Sequence, residues 1–329
     1  MISAMTSTEG FQTRSEGSLR VLENEHLRVV IAPQSGGKLI SLFSRRTNTE
    51  WLLRPLRPYA EARRDAGFEN WDGGGFDECL PTVAPSGSSP DHGELWRQPW
   101  QEEDAVTLRG TACGGALTVR RRALLDGSSL LLHYQVENVG QSAQRLLYSA
   151  HPLLRVEQGD RILLPGEVRS IRVEGSRKNR LGIRGDSIAW PVADGEDLSI
   201  LGPPDGTQAD KLFTGILSEG WSAVFRPSLQ EGIKLLFDVR TLPYVGLWIC
   251  RAAWPESGEA KQYTVALEPA SAPADALADA ECEGTAWRFE PGQERSWTLR
   301  FALIHQLPGE KSPAEESSGE RLGRAHDRD

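Results

Sequence analysis

Across residues 21–305 the chain is a succession of short apolar runs cut by Gly, Pro, Asn and Asp, and none carries the 3.6-residue period of a long amphipathic helix. The runs include LTVRRRALL, SLLLHYQVENVG, VRSIRVEG, IKLLFDVRT, YVGLWICRA and WTLRFALIH. Several alternate: Leu130, Leu132, Tyr134 and Val136 share one phase, with Leu131, His133 and Gln135 on the other. Side chains of an extended strand point alternately to opposite faces, so these runs predict strands, and their close spacing predicts antiparallel pairing. They outnumber the strands of an immunoglobulin-sized sandwich, and no fixed repeat marks a propeller. The expected fold class is therefore all-β, one large two-sheet assembly with few short helices. Residues 57–65 and 273–280 are the two segments expected to be helical, and residues 21–33 are expected to form two strands about a turn at His26.

At 329 residues the chain has the length of two average domains, but large all-β folds commonly run past about 200 residues as one. The expected organisation is a flexible N-terminus over 1–17, a single domain over 18–307, and a disordered tail over 308–329 rich in Glu, Ser and Arg. A net charge of −9 disfavours nucleic acid and anionic membrane as partners. No apolar stretch is long enough to cross a bilayer. Cys79, Cys113, Cys250 and Cys282 lie far apart without a CxxC pair, which predicts reduced thiols rather than a zinc site. The first residues lack a basic start followed by an apolar run, so no signal peptide is expected. A soluble cytoplasmic monomer or homodimer is the expectation.

Residues 73–100, GGGFDECLPTVAPSGSSPDHGELWRQPW, hold three successive glycines and four prolines. That content forbids a regular helix and predicts a long ordered loop, a feature that is usually functional in a compact domain. Asp77, Glu78, His92 and Trp96 on that loop supply the acids, imidazole and indole with which a protein recognises a sugar; the competing view is a surface loop with His92 in a local turn.

Elsewhere, His151 stands at a strand end before Pro152, where a side chain enters a cleft, whereas His133 falls on the polar phase of its strand. Glu268 ends the apolar run TVAL ahead of Pro269; a buried carboxylate is costly unless paired or used, although a solvent-facing strand end explains it equally. Asp210 and Lys211 enter another run as an acid–base pair, or as an ordinary surface ion pair. Trp248 lies where an indole stacks on an apolar sugar face, or packs in the core.

Taken in order, His92-Gly93 with Trp96, His151-Pro152, Asp210 with Phe213 and the late Glu268-Pro269 resemble the aldose 1-epimerase (galactose mutarotase-like) family, over roughly residues 20–305. The resemblance implies a β-supersandwich with a sugar cleft on one large sheet, and catalysis without metal or cofactor. Glu268 matches the general base that takes the anomeric hydroxyl's proton. His151 matches the general acid that protonates the ring oxygen, so the ring opens, the C1–C2 bond rotates and reclosure gives the other anomer. His92 matches the second histidine near the ring oxygen, and Asp210 a carboxylate that grips sugar hydroxyls. Such acid–base catalysis contributes about 10²–10⁴-fold and works best with pKa values near the working pH, which an imidazole meets directly.

The chain departs from the family in two places. An arginine in an Asn-Arg-type motif ahead of the first histidine is replaced here by Asn70-Trp71-Asp72 and Asp77-Glu78, and Lys211 sits where many members have histidine. Asp77 and Glu78 are then expected to take over the hydroxyl contacts, with a cation held by Asp72, Asp77 and Glu78 as the disfavoured alternative. Two other functions compete: a non-catalytic carbohydrate-binding protein on the same scaffold, and a glycosidase or lyase. A glycosidase needs two carboxylates across the cleft, and the acidic charge and lack of clustered Arg and Lys count against anionic polysaccharides and sugar phosphates.

Overall fold

The computed structural model describes residues 6–8 and 10–307, and most of these lie in two antiparallel sheets. The 13-stranded sheet opens with a meander of Thr6–Thr8, Phe11–Glu16, Leu19–Glu23, Leu27–Ala32 and Lys38–Ser44, to which Thr49–Glu50 adds. It continues through Phe76–Cys79, Ser149–Arg155, Tyr263–Ala270, Tyr244–Arg251, Ala209–Thr214, Ser170–Ser176 and Ser187–Ala189. The 8-stranded sheet runs Arg161–Leu163, Trp221–Arg226, Glu231–Leu236, Glu294–Ile304, Ser129–Asn138, Leu117–Asp126, Thr107–Ala112 and Gln101–Glu102.

One apolar cluster joins the two sheets, with Leu130, Leu132, Val136, Leu299 and Phe301 from the shorter and Leu22, Val29, Leu39, Phe76 and Leu247 from the longer. Burying each such side chain stabilises the fold by about 1.5–3 kcal/mol. Strands of the shorter sheet keep one wet face, and there the alternation is as expected: Leu130, Leu132, Tyr134 and Val136 are buried while Leu131, His133 and Gln135 are half-buried. The centre of the longer sheet differs. Ser149–Arg155 is buried at every position but its last, and Tyr263–Ala270 at every position but its first. Its outer face is roofed by two loops that meet where the amides of Val83 and Ala84 donate to the Asp275 carbonyl.

Four segments depart from expectation. Residues 73–100 are not loop throughout: Phe76–Cys79 is a fully buried strand inside the longer sheet. The glycines ahead of it admit this close passage, since a Cβ on Gly75 would come within 2.5 Å of the Leu39 carbonyl oxygen. Residues 57–65 form no helix, because the amides of Leu56 and Ala62 donate to the carbonyls of Asp72 and Gln34 and hold the segment as a strap. The helix expected over 273–280 is displaced to Leu277–Cys282. Residues 11–16, assigned by composition to a flexible N-terminus, form a strand paired with Leu19–Glu23, anchored by buried Phe11 and Thr13. The tail expected over 308–329 lies outside the described residues. Among those described, no helix is long and apolar enough to cross a membrane, and all four cysteines are free.

Candidate active site

The middle strands of the longer sheet set their polar residues in one row. Asp77 lies directly opposite His151. The register pairing Ser149 with Ala270 and Leu153 with Ala266 sets His151 opposite Glu268. Glu268 in turn faces Gly246, and Gly246 faces Phe213. Two residues along the strands, Lys211 pairs with Trp248. Directly opposed residues project to the same side of an antiparallel sheet, so these side chains share the roofed face. A cavity of about 190 Å³ opens above them, lined by Phe68, Val83, Ala84, Asp91, His92, His151, Lys211, Trp248, Trp254, Gln262, Glu268 and Asp275.

Glu268 is fully buried on this floor. Its Oε2 accepts hydrogen bonds from Lys211 Nζ and from Ser149 Oγ at 3.3 Å. Its Oε1 has no donor within the described residues and lies 4.0 Å from His151 Nε2. Gly246 makes room for this carboxylate: a Cβ there would sit 3.0 Å from Phe213 Cε1 and 3.2 Å from Glu268 Oε2. Burial alone would lower the pKa of Lys211, but the Asp275 and Glu268 carboxylates outweigh it and hold the ammonium charged. Asp275 Oδ1 lies 3.3 Å from that ammonium, and burial raises the Asp275 carboxyl above its usual range against the pull of Lys211.

His151 is 6% exposed. Burial, reinforced by His92, Lys211 and Lys38, holds its pKa well below the ordinary value, so at neutral pH the imidazole is uncharged. This corrects the expectation of an imidazole poised near neutrality. His92 comes from the roof. It has a left-handed backbone (φ 57°) and precedes Gly93, where a Cβ would lie 2.2 Å from the Leu80 carbonyl oxygen. That turn presses the His92 ring flat against Phe68 (centroids 3.5 Å apart, 8° between planes) and brings it 4.8 Å from the His151 ring. Non-glycine residues in this conformation cluster at functional sites. Asp91 Oδ1 accepts from His92 Nδ1 at 3.0 Å and fixes the ring. Trp248 and Trp254 meet edge to face as an aromatic wall, and Trp248 Nε1 donates to Gln262 Oε1 at 3.2 Å.

Of the residues singled out in the sequence, the fold brings Glu268, His151, His92, Lys211 and Trp248 to this cavity. The other four line no part of it. Asp210 points to the opposite face from Lys211, fully buried, its oxygens taken by Arg180, Ser176 and Gln208. Glu78 likewise turns into the core, where Arg121 and Tyr134 of the shorter sheet donate to it. Trp96 lies behind the roof, edge-on to Phe68, its indole N–H given to the Asp91 carbonyl. Asp77 lies on the same face beside the cavity, outside its lining, paired with Lys38 at 2.8 Å. The Lys38 ammonium also reaches Asp72 at 2.6 Å, so the charge between Asp72 and Asp77 is a lysine's, and Glu78 does not converge with them on a cation.

Sequence reasoning missed Phe68, Trp254, Gln262, Asp275 and Lys38. Gln262 had a legible signal, since it shares the strand phase of Glu268 at the head of the same run. Phe68 and Asp275 sit in irregular segments, where no period marks the face a side chain takes.

Two stacked antiparallel sheets with a roofed polar cavity at the centre of the larger define the galactose mutarotase-like β-sandwich fold. Solved structures with this fold include the Slr1438 protein from Synechocystis sp. PCC 6803, which superposes with a TM-score of 0.65 at 16% identity over 89% of this chain and 97% of that one. A galactose mutarotase-like protein from Lactobacillus casei ATCC 334 matches with a TM-score of 0.62 at 16% identity, over 87% of this chain and 99% of its own. A galactose mutarotase related enzyme from Lactobacillus acidophilus gives 0.61 at 15% identity, over 89% and 100%. No family model and no curated protein matches the sequence.

Proposed function

We propose that the protein is an aldose 1-epimerase, interconverting the α and β anomers of a free aldose or a close derivative at this cavity. The observation that carries the proposal is the pair formed by Glu268 and His151. A fully buried carboxylate oxygen without a partner among the described residues stands 4.0 Å from an imidazole nitrogen on the floor of a small cavity. The volume of about 190 Å³ falls below the roughly 300–1,000 Å³ of sites for drug-sized ligands and suits a single sugar ring.

In this mechanism Glu268 Oε1 takes the proton of the anomeric hydroxyl as the bond from C1 to the ring oxygen breaks. His151, as imidazolium, gives its Nε2 proton to that oxygen. The products are an open-chain aldehyde, a neutral carboxylic acid and a neutral imidazole. After rotation about C1–C2 both transfers reverse on the other face of the carbonyl, and no net proton is consumed. Lys211 holds the carboxylate in place by its hydrogen bond, His92 holds the ring oxygen, and the Trp248–Trp254 wall takes an apolar sugar face.

The test is substitution. Glu268→Gln and His151→Asn are expected to lower the rate of anomer exchange by about 10²–10⁴-fold while calorimetry still detects sugar binding. Wild-type rates in both variants contradict the assignment. Because the imidazolium is the minority form at pH 7, kcat/KM of the wild-type protein is expected to rise as the pH falls from 8 toward 6, and a flat profile rejects the acid role of His151.

A further inference from the structure

We infer that Asp77 is the positioning residue for His151, linked to it through Nδ1 from the neighbouring strand beside the cavity. The inference rests on the epimerase proposal only for its effect on turnover. His151 stands between two carboxylates, Glu268 on one neighbouring strand and Asp77 on the other. Its Nε2 faces the Glu268 side, where the sugar would sit. That leaves Nδ1, which is buried and has no partner among the described residues. Asp77 has the complementary deficiency: Oδ2 is held by Lys38, while Oδ1 is buried and unpartnered. Both residues are more than nine-tenths buried, at 2% and 6% exposure. They are directly opposed on one face of adjacent strands, where Cβ atoms stand about 4.5–5.5 Å apart. Rotation of the Asp77 carboxylate, or one bridging water, joins them.

Charge favours the same link. Lys38 is shared between Asp72 and Asp77, so one ammonium faces two carboxylates. Burial, against the pull of Lys38, pushes the Asp77 carboxyl up to about 6, so it is ionised at neutral pH. The other charged groups around His151 are Glu268, His92, Lys211 and Lys38, with Asp91 and Asp275 further out on the cavity lining. Asp91 is engaged by His92 and Asp275 by Lys211, which leaves Glu268 and Asp77 as the carboxylates on the strands that flank the ring. In the proposed cycle Glu268 is itself neutralised by the sugar's proton. Asp77 is then the carboxylate left on the strands flanking the ring, and an acceptor at Nδ1 directs the exchangeable proton to Nε2. The same base-and-orienter arrangement recurs wherever a carboxylate fixes a catalytic histidine's tautomer.

Nitrogen-15 NMR of the histidine-labelled protein at pH 7.5, without sugar, reads the tautomer directly. The expected result is a His151 ring protonated at Nδ1; protonation at Nε2 alone overturns the inference, whatever the protein does to any sugar. Anomer-exchange kinetics then separate positioning from packing. Asp77→Asn is expected to lower kcat by about tenfold to hundredfold, with KM within about threefold, and to move the rise of kcat/KM to lower pH. Asp72→Asn, which takes the other counterion from Lys38 without facing His151, should leave that pH profile in place. A folded Asp77→Asn variant with the wild-type profile also overturns the inference. If that variant fails to fold, the NMR result on the wild-type protein decides alone. If no aldose is turned over, the epimerase proposal fails while the tautomer measurement still stands.

Discussion

At the scale of single residues, the site depends on what is absent as much as on what is present. Gly246 leaves the space that Glu268 occupies, so Gly246→Ala is expected to push the carboxylate off Lys211 and cut kcat by about tenfold or more, with less effect on the melting temperature; an unchanged kcat refutes that role. His151 ties the site to stability as well. The folded chain holds its pKa below the ordinary 6.5, so below about pH 6.5 the unfolded chain binds a proton that the folded chain refuses, and stability falls with pH. Asp77 acts in the opposite sense. Its folded pKa of about 6 lies above the unfolded value, so its contribution is fully present below about pH 4 and is lost as pH rises through 6. Urea titrations at pH 7.5 and 5.5 should therefore show His151→Asn gaining stability relative to wild type at the lower pH. Glu268 and His151 were legible because each ends an apolar run at a proline. The partnership of Asp77 with His151 was not, because it needs the register between strands more than seventy residues apart in sequence.

At the scale of elements, legibility followed solvent. Strands of the shorter sheet have one wet face, so their alternation could be read from the residues. The central strands of the longer sheet are covered on both faces, and polar residues there mark the site instead of the water. Phe76–Cys79 was hidden among glycines and prolines that look like loop, although the glycines are what let a strand pass there. Gly75→Ala sets a Cβ against the Leu39 carbonyl in a left-handed conformation (φ 74°). It is expected to cost at least about 1–3 kcal/mol by chemical denaturation, and a cost under a few tenths would contradict the close passage. Residues 57–65 form a strap instead of a helix because the segment's hydrogen bonds run to Asp72 and Gln34, distant partners that local propensity does not register.

At the scale of the whole molecule, the two sheets are joined by an apolar core and also by a buried ion pair, Glu78 with Arg121, to which Tyr134 adds its hydroxyl. Composition marks Glu78 as a sugar ligand, yet a strand turns neighbouring side chains to opposite faces, so Glu78 enters the core while Asp77 takes the roofed face beside His151. Removing one partner with Arg121→Met strands a buried carboxylate and is expected to cost about 3–5 kcal/mol, whereas replacing both with apolar residues should restore much of it. Equal losses in the single and double variants would reject a coupled pair. Together these features make the fold's cavity the proposed anomer-exchange site. Saturation-exchange NMR on a panel of freshly dissolved aldoses, with wild-type protein and Glu268→Gln, tests it most directly. Faster α–β exchange toward the same equilibrium is expected for at least one sugar, abolished in the variant. Sugar binding without acceleration, or acceleration that survives Glu268→Gln, would contradict it.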